Sequence, residues 1–568
     1  MSGENAYIRE LHKLWAANWP ESVPPQPVYP FGETPLTDYL RAWSRRQPDK
    51  PAYVFYGAEL TYRQLEEQSN RFAALLAQHG VQRRDRVAVF LPNCPQFVIA
   101  FFGILKLGCV HVPVNPMFQE HELLYELNDS GAVAILAQDQ LLNLVRSVQP
   151  RTKLRLVLFT SYADALPSEP SIPVPGSIRQ AKLTGGDAID LIPALESAPR
   201  EYPAPEVSLD DVAALNYTGG TTGMPKGCVH TQRDMIYTAA TTCTIGLMKP
   251  RDVSLCFHPV FWIAGEDIAL IFNIFSGTTC VLLARWDPAA WLAAIQRHRV
   301  TIAGMLVDNA VEVMDHPDAA KCDFSSLRRV TVSSFVKKLN VEYRRRWQAL
   351  TGTTLIESAW GMTETHTCDT FTAGMQNDDM DLNSQPVFVG LPMPGTEFKI
   401  CSFETGEIQP LGREGEICVR SPSILKGYWN KPEETVQALK NGWLHTGDIG
   451  VIDQRGYLHF LGRRKEMLKV NGMSVFPAEI EGLLGQHPAV TGSGVIGRQD
   501  SARGETPVAF VRIAPDQRST ITEAEIQTWC RKNMAIYKVP EIHFVDELPL
   551  TTTGKVKKGD LARLLGQA

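Results

Sequence analysis

A segment rich in glycine and threonine, Tyr217–Gly227, directly follows an apolar run in this chain. Glycine lets a backbone turn sharply and bring its N–H groups close to an anion. Threonine adds hydroxyl donors, and Lys226 adds a positive charge on a flexible stem. An ordinary polar turn rarely combines so many of these groups. The segment therefore predicts a loop that binds polyphosphate.

The loop does not have the spacing of a P-loop nucleotide hydrolase or kinase. In a P-loop, lysine directly follows glycine, and the next residue is a serine or threonine that binds Mg²⁺. Here Met224 and Pro225 separate Gly223 from Lys226, and Gly227 follows the lysine. This difference argues against the P-loop class and requires another explanation for a phosphate-binding loop.

Further charged residues lie in short segments that also contain glycine and hydroxyl residues. Glu364 lies in Trp360–Thr365, and Mg²⁺ prefers carboxylate and phosphate oxygens. Asp448 follows a threonine and a glycine, and one carboxylate can accept hydrogen bonds from two hydroxyls at once. Lys555 ends the segment Pro549–Lys555, and a flexible cation suits a reaction that moves negative charge onto a leaving group.

In this order, the segments resemble the signature motifs of the adenylate-forming enzymes. That family includes acyl-CoA synthetases, firefly-type luciferases and the adenylation domains of peptide synthetases. Its phosphate loop reads [YS]-[TS]-[SG]-G-[ST]-[TS]-G-x-P-K-G, and Tyr217–Gly227 satisfies every position. The resemblance extends from residue 34 to residue 562. It implies ATP, Mg²⁺ and CoA as cofactor or co-substrates.

The resemblance also implies a role for individual residues of this chain. The implied catalytic residues are Thr222, Lys226, Glu364 and Lys555, and the implied Mg²⁺ ligands are Thr222 and Glu364. The implied nucleotide-binding residues are Thr218, Gly219, Gly220, Thr221, Thr222, Gly223, Lys226, Trp360, Gly361, Thr363, Glu364, Asp448, Arg463 and Lys555. In the family, the aromatic residue lies against adenine, the aspartate holds the ribose, and the C-terminal lysine bridges the carboxylate and the α-phosphate.

A small mobile C-terminal domain is implied by the same resemblance. Lys465 lies at the family's hinge position, which separates a large domain at 34–464 from a small α+β domain at 465–568. Residues 1–33 are predicted to be an N-terminal extension. The residues implied to line the CoA tunnel after the small domain turns are Lys469, Asn471, Gly472 and Met473.

The predicted acyl pocket departs from the family pattern. Its implied residues are Trp262, Ile263, Ala264, Gly265, Met305, Leu306, Val307 and Trp360. Trp262 replaces the histidine of the family's P-[LM]-F-H-x-x-G motif. Because tryptophan is large and mostly apolar, we hypothesise that Trp262 gates an apolar substrate. Phe335 stands where the family has a small residue, so it is expected to reshape the base pocket or the floor of the acyl pocket.

Two acidic residues, Glu266 and Asp267, follow the acyl-pocket motif. A carboxylate beside an anionic substrate would repel it. We therefore expect both side chains to point outward, or to pair with Lys337. A sharper hypothesis is that one of them recognises a polar or cationic group at the far end of the substrate.

The fold class follows from alternating strand and helix patterns. The apolar run Arg86–Leu91 is typical of a buried strand, and it follows a helix that is predicted to begin with a capping box at Thr61 and Gln64. Continued alternation predicts an α/β protein whose large domain has mixed or parallel sheets covered by helices. In the last hundred residues, a helix at Ala478–Leu484 and a strand at Val508–Ile513 predict an α+β unit.

Composition and charge exclude several classes. The chain has 568 residues and a net charge of −6, which does not suggest a nucleic-acid surface. Its 11 cysteines are scattered without a C-x-x-C pair, which argues against a disulfide scaffold or structural zinc and favours the cytoplasm. The apolar run Phe97–Leu105 is too short to span a bilayer. A peripheral membrane contact and a homodimer are left open.

The sequence therefore predicts an acid–thiol ligase that forms an acyl adenylate and then an acyl-CoA. One alternative is a stand-alone adenylation enzyme that loads the phosphopantetheine of a carrier protein. Another is a binding protein for acyl nucleotides that has lost its chemistry, and a luciferase-like oxygenase is disfavoured. The predicted pocket is apolar and suits a fatty, aryl or alicyclic acid.

Overall fold

The computed structural model describes residues 2–203, 205–218, 224–358, 360–384, 387–501 and 503–566. Within them, the chain forms two large parallel-type sheets, a third antiparallel sheet and a smaller C-terminal sheet. Of the predicted nucleotide-binding residues, Gly219, Gly220, Thr221, Thr222 and Gly223 lie outside the described residues. The mixed α/β architecture predicted for the large domain is confirmed.

The first two sheets provide the frame of the large domain. In spatial order, the strands of the first sheet are Leu355–Glu357, Arg329–Ser333, Ile302–Leu306, Val253–Cys256, Thr279–Leu282, Pro51–Phe55 and Ala58–Thr61. Those of the second are Ile189–Asp190, Leu156–Thr160, Ala134–Gln138, Arg86–Phe90, Val110–Pro113, Val212–Tyr217 and Gly227–Thr231. Pairing is parallel except at the last pair of each sheet, so the carboxyl ends of neighbouring strands share one edge.

Helices cover these sheets. The α-helices are Ser2–Asn18, Leu36–Arg46, Tyr62–Gln78, Pro95–Lys106, Glu120–Ser130, Leu142–Val148, Leu191–Ser197, Gln232–Ile245, Ile263–Glu266, Phe272–Ser276, Pro288–His298, Val307–Asp315, Val341–Thr351, Met380–Asn383, Pro432–Ala438, Pro477–Leu484, Glu523–Asn533 and Lys558–Leu564. The capping box at Thr61 and Gln64 is confirmed. The helix Pro95–Lys106 is buried along its whole length, so the most apolar run of the sequence forms core. No helix in the described ranges is long and apolar enough to cross a membrane.

The third sheet is antiparallel. Its strands in spatial order are Thr370–Phe371, Val387–Pro392, Leu458–Arg463, Trp443–Ile452, Gly415–Arg420 and Glu397–Cys401, and Leu439–Lys440 pairs with Trp443–Ile452. The N-terminal helix packs against this sheet, because Ile8 and Leu11 are buried and Trp15 Nε1 donates to the carbonyl oxygen of Gly456 at 2.9 Å. The predicted N-terminal extension thus contributes to the core beneath this sheet.

The C-terminal unit has its own sheet and core. Its strands in spatial order are Met473–Val475, Leu468–Val470, Gly504–Ile513 and Val490–Asp500, and Glu541–Phe544 pairs in parallel with Gly504–Ile513. Helices Pro477–Leu484 and Glu523–Asn533 contribute Ile480 and Ile526 to the core of this unit. This is the α+β organisation expected from the sequence.

Candidate active site

A single large cavity of about 1400 Å³ brings the motif segments together. It lies at the carboxyl ends of strands from the first sheet, where open α/β sheets commonly bind ligands. The predicted site residues that line it are Thr218, Lys226, Trp360, Gly361, Thr363, Glu364, Arg463, Lys465 and Lys555. Segments more than three hundred residues apart in the sequence therefore meet at one place.

The described ends of the phosphate loop are pinned to each other. The strand Val212–Tyr217 leads into the loop and pairs antiparallel with Gly227–Thr231, which leaves it. The amide of Thr218 donates to the carbonyl oxygen of Lys226 at 3.0 Å, and the amide of Lys226 donates to the hydroxyl of Thr218 at 3.2 Å. Both described ends of the loop, Thr218 and Lys226, line the cavity.

Lys226 and Glu364 lie on either side of Tyr428. The Tyr428 hydroxyl donates to Glu364 Oε1 at 2.9 Å, and Lys226 Nζ lies 4.0 Å from the centre of the Tyr428 ring. Burial, together with the neighbouring Glu364 carboxylate, raises the pKa of Tyr428 and keeps its proton on the hydroxyl. Sequence reasoning missed Tyr428, because no motif distinguishes it from a core aromatic residue.

Asp448 is buried at the junction of two strands of the third sheet. It pairs across the strands with Arg463, whose Nε lies 3.1 Å from Asp448 Oδ1. Trp360 Nε1 donates to Asp448 Oδ2 at 3.0 Å. Burial raises the pKa of Asp448, and Arg463 opposes this shift. Asp448 is therefore held by Arg463 on one carboxylate oxygen and by Trp360 on the other.

The Glu416 carboxylate supports the segment Thr446–Asp448. Glu416 Oε1 accepts from the amide of Gly447 at 3.1 Å, and Glu416 Oε2 lies 2.7 Å from His445 Nδ1. Together with Cys418, these side chains form the group of candidate metal ligands in the described part of the chain. Because hydrogen bonds already give both Glu416 oxygens a partner, we interpret the group as a support that orients Thr446–Asp448.

The loop that ends in Lys555 projects from the small domain into the cavity. The amide of Thr551 donates to the carbonyl oxygen of Lys555 at 2.7 Å, and Gly554 has a φ of +83°, which closes a tight turn. The lysine side chain is reached by solvent in the cavity, yet protein surrounds most of it. Burial, followed by the charge of Arg463, lowers the pKa of Lys555, whereas Asp448 and Glu466 oppose the shift.

The predicted CoA segment lies elsewhere. Leu468–Val470 and Met473–Val475 form a hairpin whose turn is Asn471-Gly472, with φ values of 50° and 78°. Two positive φ values are typical of the two-residue turns that join antiparallel strands. Lys469 Nζ donates to Ser474 Oγ at 3.0 Å, and Met473 is 41% exposed. Lys469, Asn471, Gly472 and Met473 are not among the described residues that line the cavity.

Lys465 lies where the large domain meets the small one. The strand Leu458–Arg463 ends directly before a 3₁₀ turn at Arg464–Glu466, which contains Lys465. Glu466 in this turn accepts from Lys558 Nζ at 2.8 Å, which ties it to the last helix of the small domain. This short turn connects the third sheet with the C-terminal unit.

The acyl side of the cavity includes most of the predicted pocket. Trp262, Ile263, Ala264, Met305, Leu306 and Trp360 line it, and the apolar side chains of Ile245, Met248, Ile268 and Phe272 continue the lining. Gly265 and Val307 are not among the described lining residues. Gly265 packs against backbone, since a β-carbon there would lie 2.0 Å from the carbonyl oxygen of Pro259, and Val307 is fully buried.

The expectation that Glu266 and Asp267 point outward, or pair with Lys337, was wrong. Both are buried, and their partners come from other segments. Glu266 Oε2 lies 3.2 Å from Asn216 Nδ2 and 3.5 Å from His111 Nε2. Glu266 ends the α-helix Ile263–Glu266, and Asp267 begins the π-helical segment Asp267–Ile271.

Asp267 lies behind the signature segment that contains Glu364. Its Oδ1 lies 3.1 Å from His366 Nδ1, and it also accepts from the Thr367 hydroxyl. Burial opposes a charge on His366, but Asp267 outweighs this effect, so the pKa of His366 is raised. His230 packs against His366 and contacts the carbonyl oxygen of Thr363 at 2.7 Å. Asp267 lines the cavity and is ion-paired with His366.

Comparisons with known proteins assign the chain to a family. The family described as AMP-binding enzyme matches residues 40–429, and the AMP-binding enzyme C-terminal domain matches residues 479–555. The chain belongs to the AMP-binding enzyme family. The resemblance to adenylate-forming enzymes seen in the sequence is confirmed.

Individual relatives of this AMP-binding enzyme cover nearly its whole length. The Long-chain-fatty-acid--CoA ligase of Bacillus subtilis (strain 168) is 33% identical over 96% of this chain and 97% of its own. The 4-coumarate--CoA ligase 2 of Nicotiana tabacum is 31% identical over 88% of both chains. The crystal structure of the anthranilate CoA ligase AuaEII in complex with anthranoyl-AMP is 28% identical, with a TM-score of 0.80, and covers 95% of this chain and 98% of its own.

Proposed function

We propose that this AMP-binding enzyme is an ATP-dependent acyl-CoA synthetase that activates a long-chain fatty acid. The main support is that Lys226, Glu364 and Lys555 line one cavity although they come from different domains. Asp448 lies behind the cavity and is bonded to Trp360, which lines it. The named relatives are acid–CoA ligases, which supports this reaction class. The reaction consumes a carboxylic acid, ATP and CoA.

The residues present fit ATP with Mg²⁺. Glu364 offers a carboxylate beside Lys226, and a hard cation prefers one or two carboxylates together with phosphate oxygens. When bound, Mg²⁺ neutralises phosphate charge. Asp448, which is ion-paired with Arg463, would accept from a ribose hydroxyl, and Trp360, held by Asp448, would lie against the base.

In the first half-reaction, a carboxylate oxygen attacks the α-phosphorus of ATP. A bond forms between these atoms, the bond to the bridging oxygen of the β-phosphate breaks, and pyrophosphate leaves with the electron pair. Thr218 and Lys226 hold the phosphates, and the Lys555 ammonium stabilises charge on the carboxylate and the α-phosphate. The product is an acyl adenylate.

In the second half-reaction, the small domain turns about Lys465. This turn withdraws Lys555 and brings the Asn471-Gly472 hairpin, with Lys469 and Met473, to the cavity. The CoA thiol, as it loses its proton, attacks the acyl carbon, and AMP leaves as the bond to its phosphate oxygen breaks. The products are acyl-CoA and AMP.

The choice of a long-chain acid rests on the lining of the cavity and on the relatives. The apolar side chains of Ile245, Met248, Ile268 and Phe272 extend the pocket beyond Trp262, which suits an alkyl chain. Seven of the curated relatives carry the name Long-chain-fatty-acid--CoA ligase. A cytoplasmic location, a homodimer and a peripheral membrane contact stay predictions.

The experiment is a screen of carboxylic acids with the purified chain, ATP, Mg²⁺ and CoA. Short-, medium- and long-chain fatty acids are compared with 4-coumarate and anthranilate, and both pyrophosphate and acyl-CoA are measured. We expect release of both products, with the highest kcat/KM for a long-chain fatty acid. No pyrophosphate with any acid would refute the ligase, and a preference for an aryl acid would refute the proposed substrate.

A further inference from the structure

Two residues that depart from the family pattern meet at the proposed catalytic lysine. Lys555 Nζ lies 5.2 Å from the centre of the Phe335 ring and 6.0 Å from that of Trp262. The two rings pack edge to face, with centroids 6.3 Å apart and planes at 60°. Trp262 precedes the helix Ile263–Glu266, and Phe335 follows the strand Arg329–Ser333, so separate elements bring them together.

The loop Thr551–Lys555 packs against Leu306 and Phe335. A β-carbon added at Gly554 would lie 3.1 Å from Leu306 Cδ1 and 3.8 Å from Phe335 Cδ2, so the backbone beside Lys555 approaches Phe335 closely. Within the loop, the amide of Lys555 donates to the Thr551 hydroxyl at 3.0 Å. Phe335 therefore contacts the loop backbone at Gly554 and also faces the Lys555 side chain.

The ammonium of Lys555 is held without a counter-ion. Among the described residues, no carboxylate lies within salt-bridge distance, 4.0 Å, of Lys555 Nζ. Aromatic faces attract a cation through their quadrupole, and the attraction strengthens where water is excluded. A carboxylate partner would compete with the substrate carboxylate and the α-phosphate, whereas two rings hold the cation and leave its charge available.

We propose that Trp262 and Phe335 form an aromatic seat that positions the Lys555 ammonium for adenylation. The inference rests on the proposed function and assigns to both aromatic residues a positioning role in that reaction. The attraction is weak compared with a buried ion pair, so the lysine can leave the seat when the small domain turns. The seat would therefore serve one half-reaction and be empty in the other.

The test measures the two half-reactions separately in Phe335→Leu and Trp262→Leu. Leucine keeps an apolar side chain but removes the ring. We expect the adenylation rate, measured as pyrophosphate release, to fall about tenfold more than the rate of CoA thiolysis of supplied acyl adenylate. Phe335→Tyr and Trp262→Phe keep a ring face and should recover most of the adenylation rate.

A matched control is Phe544→Leu in the small domain. Phe544 also carries a cation on its face, since Arg518 lies 4.8 Å from the ring centre, but it does not line the cavity. Both half-reactions of this variant should match those of the unmodified chain.

The seat is overturned if both leucine variants adenylate at the unmodified rate, or if both half-reactions fall equally. It is also overturned if the conservative aromatic variants are as slow as the leucine variants. If either Phe335→Leu or Trp262→Leu fails to fold, the half-reaction rates of the other variant test the proposal. Failure of the unmodified chain to release pyrophosphate would instead refute the proposed function, so the two failures are distinguishable.

Discussion

Two loops of the small domain differ in where they lie. The loop Thr551–Lys555 reaches into the cavity, and Lys555 Nζ faces Phe335 and Trp262. The hairpin turn Asn471-Gly472 is formed with near-ideal antiparallel pairing, yet it does not line the cavity. One orientation of the domain therefore presents the adenylation loop and not the segment proposed for CoA.

This difference explains how one cavity can serve two reactions. Both loops belong to the same compact unit, whose sheet and core join them, so they move together. The connection to the large domain is the short turn Arg464–Glu466. We propose that a rotation there exchanges one loop for the other without remodelling either, which is the hinge type of domain motion.

The largest expected effect separates the half-reactions at the lysine loop. Lys555→Ala removes the cation at the α-phosphate, so adenylation should fall about 10²–10³-fold. Thiolysis of supplied acyl adenylate should fall far less, since the lysine has left the site by then. Pyrophosphate release and acyl-CoA formation from the adenylate are the two measurements. The exposed Lys532, on the helix Glu523–Asn533 away from the cavity, provides Lys532→Ala as the control, and equal loss in both assays would contradict the role of Lys555.

A change at the Asn471-Gly472 hairpin is expected to have a smaller effect, which falls on thiolysis and not on adenylation. Gly472 has a φ of +78°, so Gly472→Ala strains the turn without meeting another atom within 4 Å. Displacement of the turn should slow thiolysis about tenfold and leave adenylation within about twofold. The matched control is Gly482→Ala, where a β-carbon also meets nothing within 4 Å and φ is not positive. A loss confined to adenylation would remove the hairpin from the CoA step.

The smallest effect concerns Glu357, which lines the cavity beside Ser334. Burial raises the pKa of Glu357 from 4.5 to about 7, although the amide of Ser334 donates to its carboxylate at 2.9 Å. Ionisation of Glu357 therefore destabilises the folded state. The penalty is absent below pH 4.5, grows as the pH rises, and is complete above pH 7.

Glu357→Gln should thus raise the free energy of unfolding by about 1–3 kcal/mol at pH 8 and by much less at pH 4.5. Denaturant unfolding at the two pH values measures the difference. The exposed Glu342, on the helix Val341–Thr351, provides Glu342→Gln as the control substitution. A stabilisation that is equal at both pH values would show that ionisation is not its cause.

The sequence predicted the elements around the motifs better than the contacts behind them. Motif order identified the family, and periodic apolar patterns located the strand at Arg86–Phe90 and the helix at Pro477–Leu484. Local patterns suffice there, because burial of one face and turn chemistry are encoded within a few residues.

Local sequence patterns did not predict the contacts between segments that lie far apart in the sequence. Glu266 and Asp267 pair with His111 and His366, respectively, which lie far away in the sequence. Tyr428 likewise connects Lys226 with Glu364 only in the folded protein. The departures at Trp262 and Phe335 were visible in the sequence, but their common partner was not.

The central claim is that the small domain turns at Lys465 and so presents either the loop Thr551–Lys555 or the Asn471-Gly472 hairpin to the cavity. A single-turnover experiment on Lys465→Pro tests this claim most directly. Proline fixes φ and stiffens the connection. The account predicts that acyl adenylate forms within about threefold of the unmodified rate, whereas its discharge to CoA slows about tenfold or more. Formation and discharge slowed by the same factor, or both unchanged, would contradict the account.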